Sequence, residues 1–156
     1  MIVGIDPGAS GALAFFEPLE GLTVIDMPTY EVKRGGKAKR EISPAMLAAE
    51  IRSMEPRSAV IEKVGAMPGQ GVSSMFQFGR SVGMVEGVLA ALQIPYEYVT
   101  PQAWQKAVGA RGGKDAARLR AMELYPAYAN EFRLKKHDGR ADAALIAWYG
   151  VTRNAP

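Results

Sequence analysis

The stretch that most constrains the fold is the N-terminal MIVGIDPGASGALAFF, in which two apolar runs, Ile2–Ile5 and Gly11–Phe16, flank a turn containing Pro7 and Gly8. Apolar runs separated by so short a turn predict two adjacent antiparallel strands. The first apolar run reads as a buried strand. One residue breaks the pattern. Asp6 places a carboxylate at the end of the first run, and a buried charge needs a partner. The candidates are a backbone N–H, a basic side chain, a phosphate or a metal.

The rest of the chain reads as an α/β order. Leu22–Met27 predicts a third strand, closed by Pro28. In ISPAMLAAEIRSM, Ser43 is placed as an N-cap with Pro44 at the first helical position, and Met46, Leu47, Ile51 and Met54 form an apolar face. A short buried strand follows at Ala59–Glu62, then a glycine-rich loop, KVGAMPGQG. Ser73–Leu92 predicts a long helix with Val82, Val85, Leu89 and Leu92 toward the core. A further strand, IPYEYV, leads to helices starting at Thr100-Pro101, at Asp115 and at Ala141. The first turn implies antiparallel neighbours, and the later strand–helix alternation implies parallel crossovers. The expectation is a mixed five-stranded sheet flanked by helices, the ribonuclease H-like layout.

Composition narrows the function classes. The chain has 156 residues and no cysteine, which removes disulfides, thiolate metal sites and thiol catalysis and suits a reducing cytosol. No apolar run approaches a membrane span, and the N-terminus lacks a signal-peptide pattern, so the expected setting is the cytoplasm, with no membrane partner. A single domain, 1–156, is the simplest organisation for this length. The net charge is +3, and the segment EVKRGGKAKRE at 31–41 carries five basic and two acidic residues, which equals that excess. With a Gly-Gly pair and no large apolar residue, it reads as a flexible basic loop. Lys33, Arg34, Lys37, Lys39 and Arg40 then either solubilise the surface or contact nucleic-acid phosphates.

Four acids stand out by position: Asp6 in the first strand, Glu62 ending AVIE, and Asp138 and Asp142 at the start of the last helix. Side chains four apart on a helix lie on one face about 5–6 Å apart. Strand ends and helix starts converge on one crevice in open α/β sheets. Carboxylates gathered there repel one another unless cations are bound, and an all-oxygen donor set suits Mg²⁺ or Mn²⁺. Two such ions bridged by a carboxylate suit in-line displacement at phosphorus, with Asp6 as the bridging ligand. Each acid also has a local explanation: a turn hydrogen bond for Asp6, a strand end beside Lys63 for Glu62, an N-cap for Asp138 and a first-turn dipole contact for Asp142.

In order and spacing, GIDPGASGALAFF, AVIEKVGAMPGQGVSSMFQFGRSVGMVEGVLAAL, VTPQAWQKAVG and HDGRADAALIA resemble the RuvC-type Holliday-junction resolvases. The small size and compact basic insert look more like the phage-borne branch, implying a bacterial or phage-infected host cell. The likeness covers nearly the whole chain, whereas GIDPG alone also resembles the start of actin-like kinases and ATPases. It implies a ribonuclease H-like fold and a homodimer. It also implies an Mg²⁺-dependent endonuclease, with two ions per site, that cuts two strands of a four-way DNA junction. Asp6, Glu62, Asp138 and Asp142 match the family's four acidic metal ligands. Related activities on other branched DNA or structured RNA, or junction binding without cleavage, remain as alternatives.

The likeness also directs attention elsewhere. Gly79, Gly83 and Gly87 lie at four-residue spacing on the long helix and fit a dimer interface, the alternative being close packing on the chain's own sheet. Lys106, Arg111 and Lys114 suit phosphate contacts near the cut strand, with Arg118 read as solvated. The last acidic pair is four apart where the family more often has three, and Gly139 holds the three-apart position. His137 is a minor candidate for assistance at the site, against a solvated loop reading. Gly65 stands where an aromatic can stack at the junction crossover, so Met67 or Phe76 are the candidate wedges, both equally suited to packing.

Overall fold

The computed structural model describes residues 1–66, 68–113 and 115–153, and for Arg34 the backbone alone. Met67 and Lys114 therefore lie outside the described residues, as does the side chain of Arg34.

The N-terminal apolar runs form β1 (Ile2–Asp6) and β2 (Ala12–Glu17), which pair antiparallel, and β3 (Gly21–Asp26) extends the meander. After α1 (Pro44–Met54), the chain returns as β6 (Ser58–Glu62), parallel to β1. A long α2 (Val72–Ala91) then leads to β7 (Tyr96–Val99), parallel to β6. The mixed five-stranded sheet runs β3-β2-β1-β6-β7, with β1 at its centre. Helices α3 (Pro101–Val108), α4 (Ala116–Leu124) and α5 (Asp138–Thr152) complete the chain, with two short 3₁₀ segments before α5. This is the expected ribonuclease H-like architecture. Among the described residues, no helix is long and apolar enough to cross a membrane.

The local signals for α1 and α3 are met. Ser43 accepts from the Met46 N–H at 3.4 Å, and Thr100 accepts from the Ala103 N–H at 3.3 Å. Each helix has proline in its first turn. On α1, Leu47 and Ile51 are buried, whereas Met46 is exposed. On α2, Val85, Val88 and Leu89 form the buried stripe.

Strand alternation divides the core in two. Val3, Ile5, Leu13, Phe15, Ala59 and Ile61 pack toward α1 and α2. Ile2, Ala12, Ala14, Phe16 and Val60 pack toward α3, α4 and α5. Helix α5 lies very close to the sheet. A Cβ on Gly4 would sit 2.2 Å from the Ala143 carbonyl oxygen, and one on Gly150 would sit 2.8 Å from Val60 Cγ2.

One element departs from expectation. Residues 31–41 are not a flexible loop: they lie within an antiparallel hairpin of β4 (Thr29–Arg34) and β5 (Lys37–Ile42), separate from the main sheet. Gly35 and Gly36 both have positive φ, 57° and 76°, as a two-residue hairpin turn with right-handed strand twist requires. The charge density hid the strands, because no apolar alternation marks them.

Candidate carboxylate centre

Strand parity fixes the first two acids. In β1, Asp6 shares its face with Ile2 and Gly4. In β6, Glu62 shares its face with Val60. Both faces look toward α5. The register pairs Ile5 with Ile61, so Asp6 and Glu62 follow at the same level on neighbouring strands, whose spacing is about 4.8 Å. They close adjacent internal strands at their C-terminal ends, under the start of α5.

Helix α5 begins at Asp138 rather than at Ala141, so Asp138 and Asp142 stand one turn apart on a continuous helix. Gly139 explains the four-residue spacing. Its Cβ would meet the Ser10 carbonyl oxygen at 2.8 Å, Gly11 Cα at 2.9 Å and Asp6 Oδ2 at 3.0 Å. A carboxylate cannot fit between the helix and the β1–β2 turn, and the preceding position is the one that can carry it.

The electrostatics register the crowding. Burial, and then the charge of Glu62, push the Asp6 carboxyl up to about 6, against a hydrogen bond from the Gly8 N–H. That bond is 3.4 Å long, so the turn explanation for Asp6 holds only as a weak contact. Burial pushes Asp142 up to about 8, with added repulsion from Asp6, Glu62 and Asp138. Glu62 is also raised by burial, opposed by a hydrogen bond from Trp104. Buried carboxylates that raise one another's pKa are short of positive charge. Among the described residues, no three acidic or histidine side chains converge on one ion position. The fit to a divalent cation therefore rests on the all-oxygen donors and this charge deficit.

Two supporting residues were not legible as such in the sequence. The Trp104 indole, fully buried, donates to Glu62 Oε1 at 2.8 Å. Arg118 is buried rather than solvated. It pairs with Asp115, donates to the Phe132 and Arg133 carbonyls, and brings Nε within 3.2 Å of Asp138 Oδ1, without the alignment of a hydrogen bond. A lone arginine in a helix gives no warning of such a site, although a tryptophan within VTPQAW does signal a polar partner if buried. His137 is likewise not a solvated loop residue. It is buried, its Nδ1 accepts from the Leu134 N–H at 3.4 Å, and burial lowers its pKa.

The outer candidates among the described residues are exposed, and one of them reaches the turn that carries Asp6. Lys33, Lys37, Lys39 and Arg40 are exposed on the hairpin, and Arg40 donates to Ser10 Oγ at 3.3 Å, beside the turn that carries Asp6. Arg80 on α2 pairs with Glu41 of β5 at 2.9 Å, joining hairpin to helix. A groove of about 460 Å³ runs between them, lined by Ser10, Lys39, Arg40, Ser73, Gln77 and Arg80. Lys106 and Arg111 are exposed, and Phe76 is 69% exposed near the start of α2. Nothing lies within 4 Å of a Cβ built on Gly79, Gly83 or Gly87.

No protein-family model matches the chain. The chloroplastic Holliday junction resolvase MOC1 of Chlamydomonas reinhardtii is 31% identical over 120 residues, which is 73% of this chain. The matched segment is only 14% of that relative's length. Thermus thermophilus RuvC, in complex with a Holliday junction substrate, superposes with a TM-score of 0.67 at 13% identity, covering 98% of this chain and 95% of that one. The fowlpox virus Holliday junction resolvase gives 0.55 at 12% identity, covering 99% of each chain. The likeness read from the motifs is thus matched in three dimensions, and the fold is that of the RuvC-type resolvases.

Proposed function

We propose that this protein is a homodimeric, structure-selective DNA endonuclease that resolves four-way junctions by metal-dependent phosphodiester hydrolysis. The observation that carries the reading is the pairing of Asp6 and Glu62 at the same level of neighbouring strands, beneath Asp142. Burial and mutual repulsion there push Asp6 to about 6 and Asp142 to about 8. MOC1 and the fowlpox protein are named as Holliday junction resolvases, and RuvC is seen in complex with a Holliday junction substrate; those names support the choice of substrate.

Asp6 and Glu62 are mounted on strands and supply fixed oxygens. Asp138 and Asp142, one turn apart on the helix above, would complete the donor set when an ion is bound, Asp138 being exposed beside Arg118. Two Mg²⁺ ions, or Mn²⁺ in their place, would supply water activation and stabilisation of the leaving oxygen when bound there. The chain's own cations hold the substrate. Lys33, Arg34, Lys37, Lys39 and Arg40 serve as phosphate contacts on the hairpin side, and Lys106, Arg111 and Lys114 do so on the α3–α4 side. Phe76 and Met67 remain the candidate wedges at the crossover. The open stripe of Gly79, Gly83 and Gly87 supports pairing of two copies, which would place two centres on one junction. The setting is the cytoplasm of a bacterial or phage-infected cell.

The test incubates the protein with a synthetic four-way junction and Mg²⁺, Mn²⁺ or Ca²⁺, alongside flap, RNA–DNA hybrid and structured RNA substrates. Paired symmetric nicks in the junction, abolished in Asp6→Asn, are expected. Undiminished cutting by Asp6→Asn would sink the site assignment. Tight binding with no nicking in Mg²⁺ or Mn²⁺ would instead make the protein a junction-binding module.

A further inference from the structure

We propose that Trp104 is the positioning residue of Glu62: its indole N–H fixes one carboxylate oxygen and thereby aims the other at the crevice shared with Asp6 and Asp142. This rests on the reading of Glu62 as a metal ligand. Trp104 has no exposed surface, and Glu62 retains only 8% exposure. The indole Nε1–H is a donor with no acceptor capacity, and it reaches Glu62 Oε1 at 2.8 Å. Trp104 packs in the same core cluster as Val99, Val108, Leu145 and Ile146. Its ring is therefore held by apolar contacts on an element separate from β6.

The bond's effect on the carboxylate is directional. A glutamate at a strand end has rotatable bonds beyond Cβ, and burial alone does not select their values. A charge-assisted hydrogen bond from a packed ring does. With Oε1 committed to the indole, Oε2 is the oxygen left to meet an ion. Partners that orient a ligating carboxylate in this way typically change metal affinity by about 10- to 100-fold when removed. The competing account is that Glu62 merely satisfies a buried indole N–H. On that account Trp104 matters to stability alone.

Mn²⁺ binding separates the two accounts. It is measured by calorimetry and by electron paramagnetic resonance on the full chain without DNA. Replacement of Trp104 by its benzothiophene analogue removes the N–H while keeping the bicyclic ring, and Trp104→Phe removes the N–H together with the five-membered ring. Both are expected to weaken Mn²⁺ binding about 10-fold or more. Val108→Ala, a buried change on the same helix, should lower the melting temperature without altering Mn²⁺ affinity. Wild-type affinity in the phenylalanine and benzothiophene proteins would overturn the inference while leaving the metal site standing. Absence of Mn²⁺ binding by the wild-type protein would overturn the metal reading and this inference together.

Discussion

The two faces of the sheet use glycine in opposite ways. On the α5 face, Gly4, Gly139 and Gly150 are spaces already filled: an added Cβ would lie within 3 Å of another atom in each case. On the α2 side, Gly79, Gly83 and Gly87 meet nothing within 4 Å. Each glycine costs a helix about 1 kcal/mol relative to alanine. On α5 that cost is offset by bringing the helix carrying Asp138 and Asp142 onto the ends of β1 and β6. On α2 nothing within 4 Å in the described chain returns it, which supports the proposed pairing of the stripe with a second copy.

The sharpest way to break this contrast is Gly4→Ala. Its Cβ would sit 2.2 Å from the Ala143 carbonyl oxygen and 2.4 Å from the Ala147 nitrogen. Backbone atoms cannot yield as a side chain can, so α5 must lift. A loss of about 3 kcal/mol or more is expected in urea denaturation, together with loss of nicking. Near-wild-type stability would show that α5 is not seated as described.

Titration tests the same helix more gently. Asp6 and Asp142 have native pKa values near 6 and 8, above the ordinary 3.8. Between about pH 4 and pH 8 these two groups therefore hold more protons in the native state than in the unfolded chain, and their contribution to stability falls as pH rises. In chelator, the melting temperature should drop across that window by an amount equivalent to a few kcal/mol. Asp142→Asn should flatten the decline, and Mn²⁺ should restore stability at pH 8 but not at pH 5. A melting temperature independent of pH would remove the crowded-carboxylate account.

The smallest expected effect lies on the other face. Gly83→Ala should stabilise α2 by about 0.5–1 kcal/mol in the monomer, while weakening self-association in analytical ultracentrifugation. Unchanged association would place any interface elsewhere.

Much of this arrangement was legible in the sequence. Asp6 and Glu62 declared themselves as acids ending apolar runs, and the strand parity that aligns them follows from those runs. The spacing of Asp138 and Asp142 was visible, but its cause was not, because Gly139 is constrained by a turn more than a hundred positions away. The partners of Arg118, His137 and Trp104 are hidden for the same reason: they are set by the docking of α3, α4 and α5 on the sheet, and the most the sequence signals is that a buried Trp104 needs some acceptor. The hairpin was missed on different grounds. Apart from Ile42 at the end of β5, which enters the core on the α1 and α2 side of the sheet, its strands show no apolar alternation, so the Gly-Gly turn is the local signature.

That hairpin also changes how its cations must behave. Six-residue strands span about 20 Å, and this ribbon is anchored at its base, where Arg40 meets Ser10 and Glu41 meets Arg80. It is a cantilever. Lys33 and Lys37, near its tip, stand at a spacing set by the ladder, unlike cations on a loose loop. Shortening the ribbon by one residue pair would shift its reach by a whole increment, so the phosphate-contacting role proposed for it would depend on the ribbon's length.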